Sequence, residues 1–356
     1  MSEQRLRRRD FLKKAILAGT GAVLTGGALI LRRPNSTRSE ATTSTPVPSA
    51  LVAVPLVIGP QVRDGDPATT PWPPNVEVPL ANLFPAGPTL VHPNPIDHAI
   101  ATGKPFQVRP LDGGYIRATV PTPGWILERC NTVVVTNPQS GTTITKARTW
   151  EPEYQSIRSD LLRALAVYDG AIPLIFDTWG MDVFAEPFLR SLGDPASRES
   201  LRAAGYTADA DRASQLAGLQ AHTVFERTRI GFALNGYQVP KPDWSGFTTD
   251  MTFVASFCDQ ARTLFGQRAC LGNNSIRSSY IGQQRSAGSL YGILEDQGPP
   301  LRFQTAVGDK LGDLHEVIDW AISMGAYAVE LPPGYEALVT DSYLHQAKTR
   351  MAANAA

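Results

Sequence analysis

Polar side chains follow several apolar runs of strand length, close to where those runs end. Asp177 and Trp179 follow one run, Asn273 follows another, and Glu330 lies within the last. Carboxylates there can do acid/base work, amides and guanidinium groups can bond hydroxyls, and aromatic rings can stack on the apolar faces of sugars. These residue types predict a carbohydrate site. The candidate sugar contacts are Arg109, Trp125, Trp150, Asp177, Trp179, Asn235, Asn273 and Gln304, with Tyr237 as a further stacking residue.

Other chemistries find little support in the sequence. The five histidines form no H-x-H or H-E-x-x-H cluster, the three cysteines show no C-x-x-C spacing, and no serine or cysteine sits in a nucleophile elbow. We therefore predict neither a metal site nor a cofactor. Cys258 and Cys270 are close enough in the chain to form a disulfide or to be two buried thiols, and both interpretations stay open.

The elements that position these residues alternate between strand and helix. Short apolar runs and amphipathic stretches follow one another from residue 96 on, which is typical of β/α units around a parallel sheet. Alternating β-branched residues and turn formers at 132–145 predict a hairpin. The high proline and glycine content of residues 60–95 predicts irregular loops. The predicted strands are Phe106–Pro110, Ile172–Thr178, Arg229–Leu234, Ala269–Gly272, Leu301–Thr305 and Ala326–Leu331, with Leu51–Ile58 and Leu90–His92 as two more.

Eight strands in about 300 residues favour a single (β/α)8 TIM barrel over an open sheet. No G-x-G-x-x-G or P-loop follows a strand, which removes the main reason to expect a nucleotide-binding sheet. The barrel is expected over residues 51–348. In such a barrel the reactive groups lie at the carboxyl ends of the strands, where the polar residues above are found.

The amino-terminal segment carries an export motif. Arg8, Arg9, Phe11, Leu12 and Lys13 spell R-R-x-F-L-K, the pattern of twin-arginine signals, and residues 15–31 are uncharged and weakly apolar. Residues 1–33 are thus predicted to be a signal for the twin-arginine translocase, either cleaved or retained as a membrane anchor, and residues 34–50 a disordered spacer. The barrel is expected outside the cytoplasm, in contact with a membrane only through this segment.

Charge argues against a nucleic-acid partner. Residues 34–356 hold 25 basic and 31 acidic residues, a net charge of −6, although the whole chain is neutral. Binding to phosphate needs a basic face. The residue types at the strand ends predict an oligo- or polysaccharide as the partner instead.

A family resemblance adds roles to some of these residues. Residues 176–190, with A-E-P at 185–187, look like the strand-4 region of clan A glycoside hydrolases, and the chain from about 96 to 340 is similar to uncharacterised bacterial glycoside-hydrolase-like barrels. The resemblance rests on G-K-P-F-Q-V-R at 103–109, P-G-W at 123–125, T-W-E-P-E-Y at 149–154, A-E-P-F-L-R at 185–190, N-N-S at 273–275, Q-T-A at 304–306 and G-A-Y-A-V-E-L-P at 325–332. It implies that Glu186 is the general acid/base.

The sequence departs from that family at two positions. Ala185 replaces the asparagine before the acid/base, and strand 7 ends in Gln304 where a nucleophilic glutamate is expected. An amide cannot form a glycosyl ester, so a second carboxylate is needed, and Glu330 is the favoured candidate, with Asp177 and Asp182 as alternatives. Because an unpaired buried carboxylate costs several kcal/mol, Glu330 either works in catalysis or pairs with an arginine such as Arg109.

Three classes of function remain open at this stage. The leading one is an exported glycoside hydrolase that uses Glu186 and Glu330. A non-catalytic carbohydrate-binding barrel is favoured by Gln304, and a surface-anchored structural protein would need no pocket.

Overall fold

An eight-stranded parallel sheet forms the centre of the protein. The computed structural model describes residues 56–58, 75–111, 122–136, 141–177, 191–331 and 335–354. The sheet has the order β1-β12-β11-β10-β7-β6-β3-β2. From β2 onward each sheet strand pairs with the next one along the chain, and β1 pairs with the last strand, β12. Its strands are β1 (Leu56–Ile58), β2 (Asn75–Pro79), β3 (Gln107–Leu111), β6 (Leu174–Asp177), β7 (Arg229–Ala233), β10 (Ala269–Ile276), β11 (Leu301–Thr305) and β12 (Ala326–Leu331).

The sheet curls far enough to bring its two ends together. The side chain of Asn75 on β2 donates a hydrogen bond to Glu330 on β12, across the position of β1. The predicted (β/α)8 barrel is confirmed. In barrel order β6 is the fourth strand, β11 the seventh and β12 the eighth, which agrees with the strand numbers that the sequence suggested for the regions of Glu186, Gln304 and Glu330.

Helices follow the strands and cover the sheet. They are α1 (Leu80–Leu83), α2 (Pro95–Ala101), α3 (Gly124–Arg129), α4 (Pro152–Leu165), α5 (Pro195–Ala203), α6 (Ala208–Ala221), α7 (Met251–Phe265), α8 (Leu290–Gln297), α9 (Leu314–Ser323) and α10 (Asp341–Ala353). Turns of 3-10 helix lie at Ala166–Tyr168, Ser191–Gly193, His222–Val224, Gly266–Arg268, Ser278–Tyr280, Gln283–Arg285, Gly308–Lys310 and Glu336–Leu338. None of the helices in the described ranges combines the length and the apolar character needed to cross a membrane.

Local sequence signals explain where these helices begin and end. The Asp250 side chain accepts a hydrogen bond from the Phe253 amide at the start of α7, and the helix ends at Gly266 with φ +54°. Asp194 and Thr207 cap α5 and α6 in the same way. Such caps satisfy amides that have no partner within the helix, so the boundaries could be predicted from the sequence.

The position of the second barrel strand differs from the prediction. Leu90–His92 forms no strand, and the strand is instead Asn75–Pro79, inside the stretch predicted to be irregular. Pro88 and Pro93 flank the mispredicted run and restrict it. In N-V-E-V-P the valines face the helices and the polar residues alternate with them, which is the period of a strand.

Most of the core lies between the outer face of the sheet and the helices. Cys258 and Cys270 are both buried free thiols, which decides against a disulfide between them. Burial raises the pKa of each thiol. The outward-facing strand residues in this core include Val76, Val78, Val108, Ile230, Phe232, Phe303 and Val329.

Three excursions leave the carboxyl ends of neighbouring strands and share a small core of their own. The hairpin of β4 (Thr132–Thr136) and β5 (Thr143–Ala147) follows β3, α5 follows β6, and the hairpin of β8 (Gln238–Pro240) and β9 (Phe247–Thr249) follows β7. The first of these confirms the predicted hairpin. We call the shared cluster the excursion core; it contains Val133, Val135, Leu192, Leu201 and Tyr206, with Ile144, Trp150, Ala204 and Trp244 packed against it.

Candidate functional site

The inside of the barrel is polar where β2, β3, β11 and β12 face one another. Side chains on a strand alternate between its two faces, so the residues next to the outward-facing valines and phenylalanine point inward. These inward residues are Asn75, Glu77, Gln107, Arg109, Arg302, Gln304 and Glu330. Because all but Gln304 are buried, each polar group needs a partner within the barrel.

The Glu330 carboxylate is the centre of this network. Its Oε1 accepts hydrogen bonds from Asn75 (3.0 Å) and Gln304 (3.1 Å), and its Oε2 accepts one from Gln107 (2.9 Å) and another from the Arg302 guanidinium. The side chain of Glu330 is 4% exposed and that of Arg302 is fully buried. Four donors from four different strand positions thus hold the carboxylate in one orientation.

A second ion pair lies beside the first. Arg109 Nη1 is 3.2 Å from Glu77 Oε1 and 4.0 Å from Glu330 Oε1, and all three side chains are at most 5% exposed. With Arg302, the group contains two guanidinium groups and two carboxylates. Their charges balance, which is the condition for keeping ions in a low-dielectric interior.

The structure shows that Glu330 is paired with arginine, one of the two roles that the sequence left open. A pairing of Glu330 with arginine was predicted, with Arg109 as an example; the hydrogen-bonded partner is Arg302, and Arg109 is the more distant cation. The signal for Arg302 was the alternation in L-R-F-Q-T, which puts Arg302 and Gln304 on one face of β11. Pairing does not exclude a role in catalysis, and that role stays a prediction.

Gln304 lies between the network and the carboxyl end of the barrel. It is register-paired with Glu330 and half-buried, and its Nε2 donates to the carboxylate. The amide at this strand end therefore contacts the nearest carboxylate directly. Among the residues of the network it is the one with the most access to solvent.

Asn273 and Asn235 are used by the protein itself. Asn273 Nδ2 donates to the Leu234 carbonyl (2.8 Å) and to Asn235 Oδ1 (3.0 Å), while its Oδ1 accepts from the Ser275 amide (2.9 Å) and the Tyr291 hydroxyl (3.2 Å). Two donors and two lone pairs are the full capacity of a carboxamide. Asn273 thus braces the ends of β7 and β10, and sugar binding by it would require one of these bonds to break.

The predicted tryptophans take packed positions. Trp125 on α3 is partly buried against the main core, and its indole N–H donates to the Phe84 carbonyl (2.8 Å). Trp150 packs on the excursion core, with its ring 5.1 Å from that of Tyr206 at an interplanar angle of 66°. Both are half-buried, so each keeps part of its ring accessible.

Tyr237 does not lie where a sugar could stack on it. It is fully buried, and its hydroxyl donates a 2.6 Å hydrogen bond to the Asp211 carboxylate on α6. Burial raises the pKa of Asp211 to about 6, while the hydrogen bond from Tyr237 acts to lower it. Burial and the nearby Asp211 charge also raise the pKa of Tyr237. The prediction for Tyr237 is wrong because its hydroxyl is needed inside the protein.

Several predicted residues lie outside the described residues. They are Glu186, Trp179, Asp182 and the signal residues Arg8, Arg9, Phe11, Leu12 and Lys13. The backbone of Asp177 ends β6, and its side chain is outside the described part. Within the described ranges, no group of three or more His, Cys, Asp or Glu side chains could hold a metal ion.

The buried pair of Glu330 and Arg302 is expected to affect the free energy of unfolding. Glu330→Gln leaves the buried Arg302 charge without its counter-ion, so the free energy of unfolding should fall by about 3–5 kcal/mol in urea titrations. Adding Arg302→Met removes the stranded charge and should restore part of the loss. Asp160→Asn, in an exposed pair with Arg163, is the control and should cost less than about 1 kcal/mol. An equally small loss for Glu330→Gln would contradict the assignment.

The raised pKa of Asp211 should make the free energy of unfolding depend on pH. Its folded pKa of about 6 lies above the ordinary 3.8, so folding favours the protonated form, and its contribution is lost as pH rises from about 4 through 6. Asp211→Asn abolishes this loss; the unfolding free energy of the variant relative to the unmodified protein should rise by about 2–3 kcal/mol between pH 4 and pH 7.5. Asp209→Asn, on the exposed side of α6, should show no such trend. A pH-independent difference for Asp211→Asn would refute the buried-carboxyl interpretation.

Comparison with known proteins identifies the fold and no family. No family model matches the sequence, and no curated protein matches it. Among solved structures, the chain is similar to the catalytic domain of a β-amylase from Paenibacillus polymyxa, with a TM-score of 0.51 and 11% sequence identity over 85% of this chain and 98% of that one. At this identity the likeness shows a shared (β/α)8 fold, that of a glycoside-hydrolase catalytic domain.

Proposed function

We propose that the protein is a glycoside-hydrolase-like enzyme that acts on an oligo- or polysaccharide, with Glu186 as its general acid/base. The observation that carries the proposal is the barrel itself, whose fold spans nearly the whole of a β-amylase catalytic domain. Active sites of such barrels lie at the carboxyl ends of the strands. A shared fold alone does not fix the reaction, so the residues must carry the chemistry.

The chain on either side of Glu186 supports this role. Asp177 ends β6, the fourth barrel strand, and Leu192 is buried in the excursion core. The described residues that flank Glu186 in sequence therefore lie at the carboxyl end of the barrel. The resemblance to clan A enzymes concerns this same region after the fourth strand. A carboxyl group there is suited to protonating the oxygen of a leaving sugar.

Glu330 is the anionic partner in this proposal. Acid/base pairs work when one carboxyl group is protonated and the other stays ionised. The Arg302 and Arg109 guanidinium groups offset the Glu330 charge, and three amide donors hydrogen-bond its oxygens. Its fixed charge would stabilise a developing oxocarbenium ion. Covalent attack would first require it to give up hydrogen bonds, so Asp177 and Asp182 remain the alternative second carboxylates.

A non-catalytic carbohydrate-binding barrel is the second candidate. The observation that favours it is the bond from Gln304 Nε2 to Glu330 Oε1, because an amide at the end of the seventh strand fills the last acceptor position of the nearest carboxylate. Such a barrel would bind glycans without cleaving them. The two functions differ in turnover and share binding.

Export forms the second part of the proposal. The R-R-x-F-L-K motif at Arg8 and Arg9 supports delivery of the folded barrel by the twin-arginine translocase. A glycan outside the cytoplasm is then the substrate. The segment 15–31 would either be removed or hold the barrel at the membrane.

The role of Glu186 can be tested on a panel of α- and β-linked glucans, xylan, mannan and peptidoglycan. Glu186→Gln should reduce turnover of the active glycan by about 10²–10⁴-fold, since an amide cannot donate the proton that the leaving oxygen needs. The loss should be much smaller on an aryl glycoside of the same sugar, whose phenolate leaves without a proton. Glu199→Gln, on the exposed face of α5, is the matched control and should retain full turnover.

Binding measured by calorimetry separates the rival functions. Binding of a panel glycan without any turnover supports the binding barrel, and turnover unchanged in Glu186→Gln removes Glu186 from the mechanism. If the unmodified protein neither binds nor cleaves any glycan of the panel, the proposal of a carbohydrate site is wrong.

Export can be tested by cell fractionation of a tagged full-length chain. Changing Arg8 and Arg9 to lysine should shift the protein from the extracytoplasmic fraction to the cytoplasm, because the translocase recognises the arginine pair. Arg32→Lys with Arg33→Lys, beyond the motif, is the control. Equal export of both variants would contradict the twin-arginine route.

A further inference from the structure

Trp244 occupies an unusual backbone position at the carboxyl end of the barrel. It lies in the turn of the β8–β9 hairpin, directly after β7, with φ +59°. Among the described residues other than glycine, it is the one with positive φ. A bulky side chain rarely adopts this region because Cβ crowds the backbone, and glycine or asparagine is usual there. The chain thus keeps an indole where a small residue would be less strained.

Local hydrogen bonds hold the turn in this form. The Trp244 amide donates to the Lys241 carbonyl, and the Lys241 amide donates to the Gly246 carbonyl, both at 2.9 Å. The Ser245 amide donates to Asp243 Oδ1 at 3.0 Å, and bonds from Ser245 lower the pKa of the Asp243 carboxyl. These bonds therefore hold the backbone of the turn at Trp244 in one conformation.

Packing against the excursion core leaves part of Trp244 exposed. Trp244 is half-buried, and its ring centroid is 6.3 Å from that of Tyr206 at an interplanar angle of 64°. This is an edge contact, which covers less of a ring face than flat stacking does. Tyr206 also contacts Trp150 at 5.1 Å. Tyr206 thus makes an edge contact with each of the two tryptophans.

We propose that Trp244 is a sugar-stacking subsite of the barrel, and that its occupant is a pyranose ring of the bound glycan chain, away from the bond that is cleaved. This inference rests on the proposed function. The apolar face of a pyranose matches the flat indole, and the exposed Lys241, Asp243 and Ser245 side chains surround it with groups that bond hydroxyls. Trp150, predicted from the sequence as a stacking residue, contacts the same Tyr206 ring.

The subsite can be tested with the full chain and linear glucan oligosaccharides. Linear α-1,4- and β-1,4-linked glucose oligomers of two and six units are the probes, and calorimetry gives Kd for each. Trp244→Ala should raise Kd of the bound hexamer about five- to tenfold, as expected for the loss of one stacked ring, and leave Kd of the dimer unchanged. Trp244→Phe should recover most of the affinity.

Controls separate packing from binding. Phe247 is exposed on β9 and, by strand alternation, faces away from the buried Val239, so Phe247→Ala should not change Kd for either length. A purely structural Trp244 would lower the melting temperature and weaken both lengths alike, which would overturn the subsite. Equal hexamer affinity in Trp244→Ala would overturn it too, with the proposed function intact. If neither glucose hexamer binds the unmodified protein but another panel glycan does, the two- and six-unit oligomers of that glycan are used as the probes. If no glycan of the panel binds, the proposed function itself is wrong.

Discussion

The structure depends on balancing the negative charge of one buried carboxylate, that of Glu330, inside the barrel. Glu330 is nearly inaccessible to water, and removing an ion from water costs far more than one hydrogen bond returns. The barrel meets this cost with Arg302 and with amides from β2, β3 and β11. Because those partners come from three strands, a shift of any one of these strands by one residue would turn its donors outward. The network therefore fixes the register of four strands together.

Close approach of the strands supports the same network. A Cβ on Gly272 would lie 1.4 Å from the Arg302 carbonyl oxygen, so only glycine lets β10 approach β11 at this level. The backbone of Arg302 is set by that approach, and its guanidinium then reaches Glu330. The apolar outer face of the sheet gives the barrel most of its buried surface, whereas the polar inner face determines how the strands align.

The polar interior also explains where sequence analysis succeeded and where it failed. Helices such as Met251–Phe265 and strands such as Leu301–Thr305 were predictable because caps, glycine stops and apolar runs agreed. Pattern rules assign polar strand residues to solvent, yet Asn75 and Gln107 point inward. Strand β2, with its polar inner face and proline-rich flanks, was missed for this reason. At the candidate site, polar strand ends were read as ligands for a sugar, but Asn273 and Tyr237 satisfy other groups of the protein, a tertiary demand that no local pattern shows.

Groups of the protein itself fill the hydrogen-bonding capacity of the Glu330 carboxylate. A carboxylate with four donors has little capacity left for a substrate. In the proposed function, the groups that contact a glycan therefore come mainly from the segments that follow the carboxyl ends of the strands. Those segments are joined by the excursion core, in which Leu192 anchors the chain that follows Glu186 and Trp244 forms an outer edge. The β4–β5 hairpin is bonded to α5 through the Thr136 amide and Ser197 Oγ at 2.8 Å. In the proposed function the two tasks are separate: the interior would supply rigidity and a fixed negative charge, and the joined excursions would supply recognition of the glycan. A catalytic carboxyl group outside the barrel strands needs a rigid support of this kind to stay in place for proton transfer.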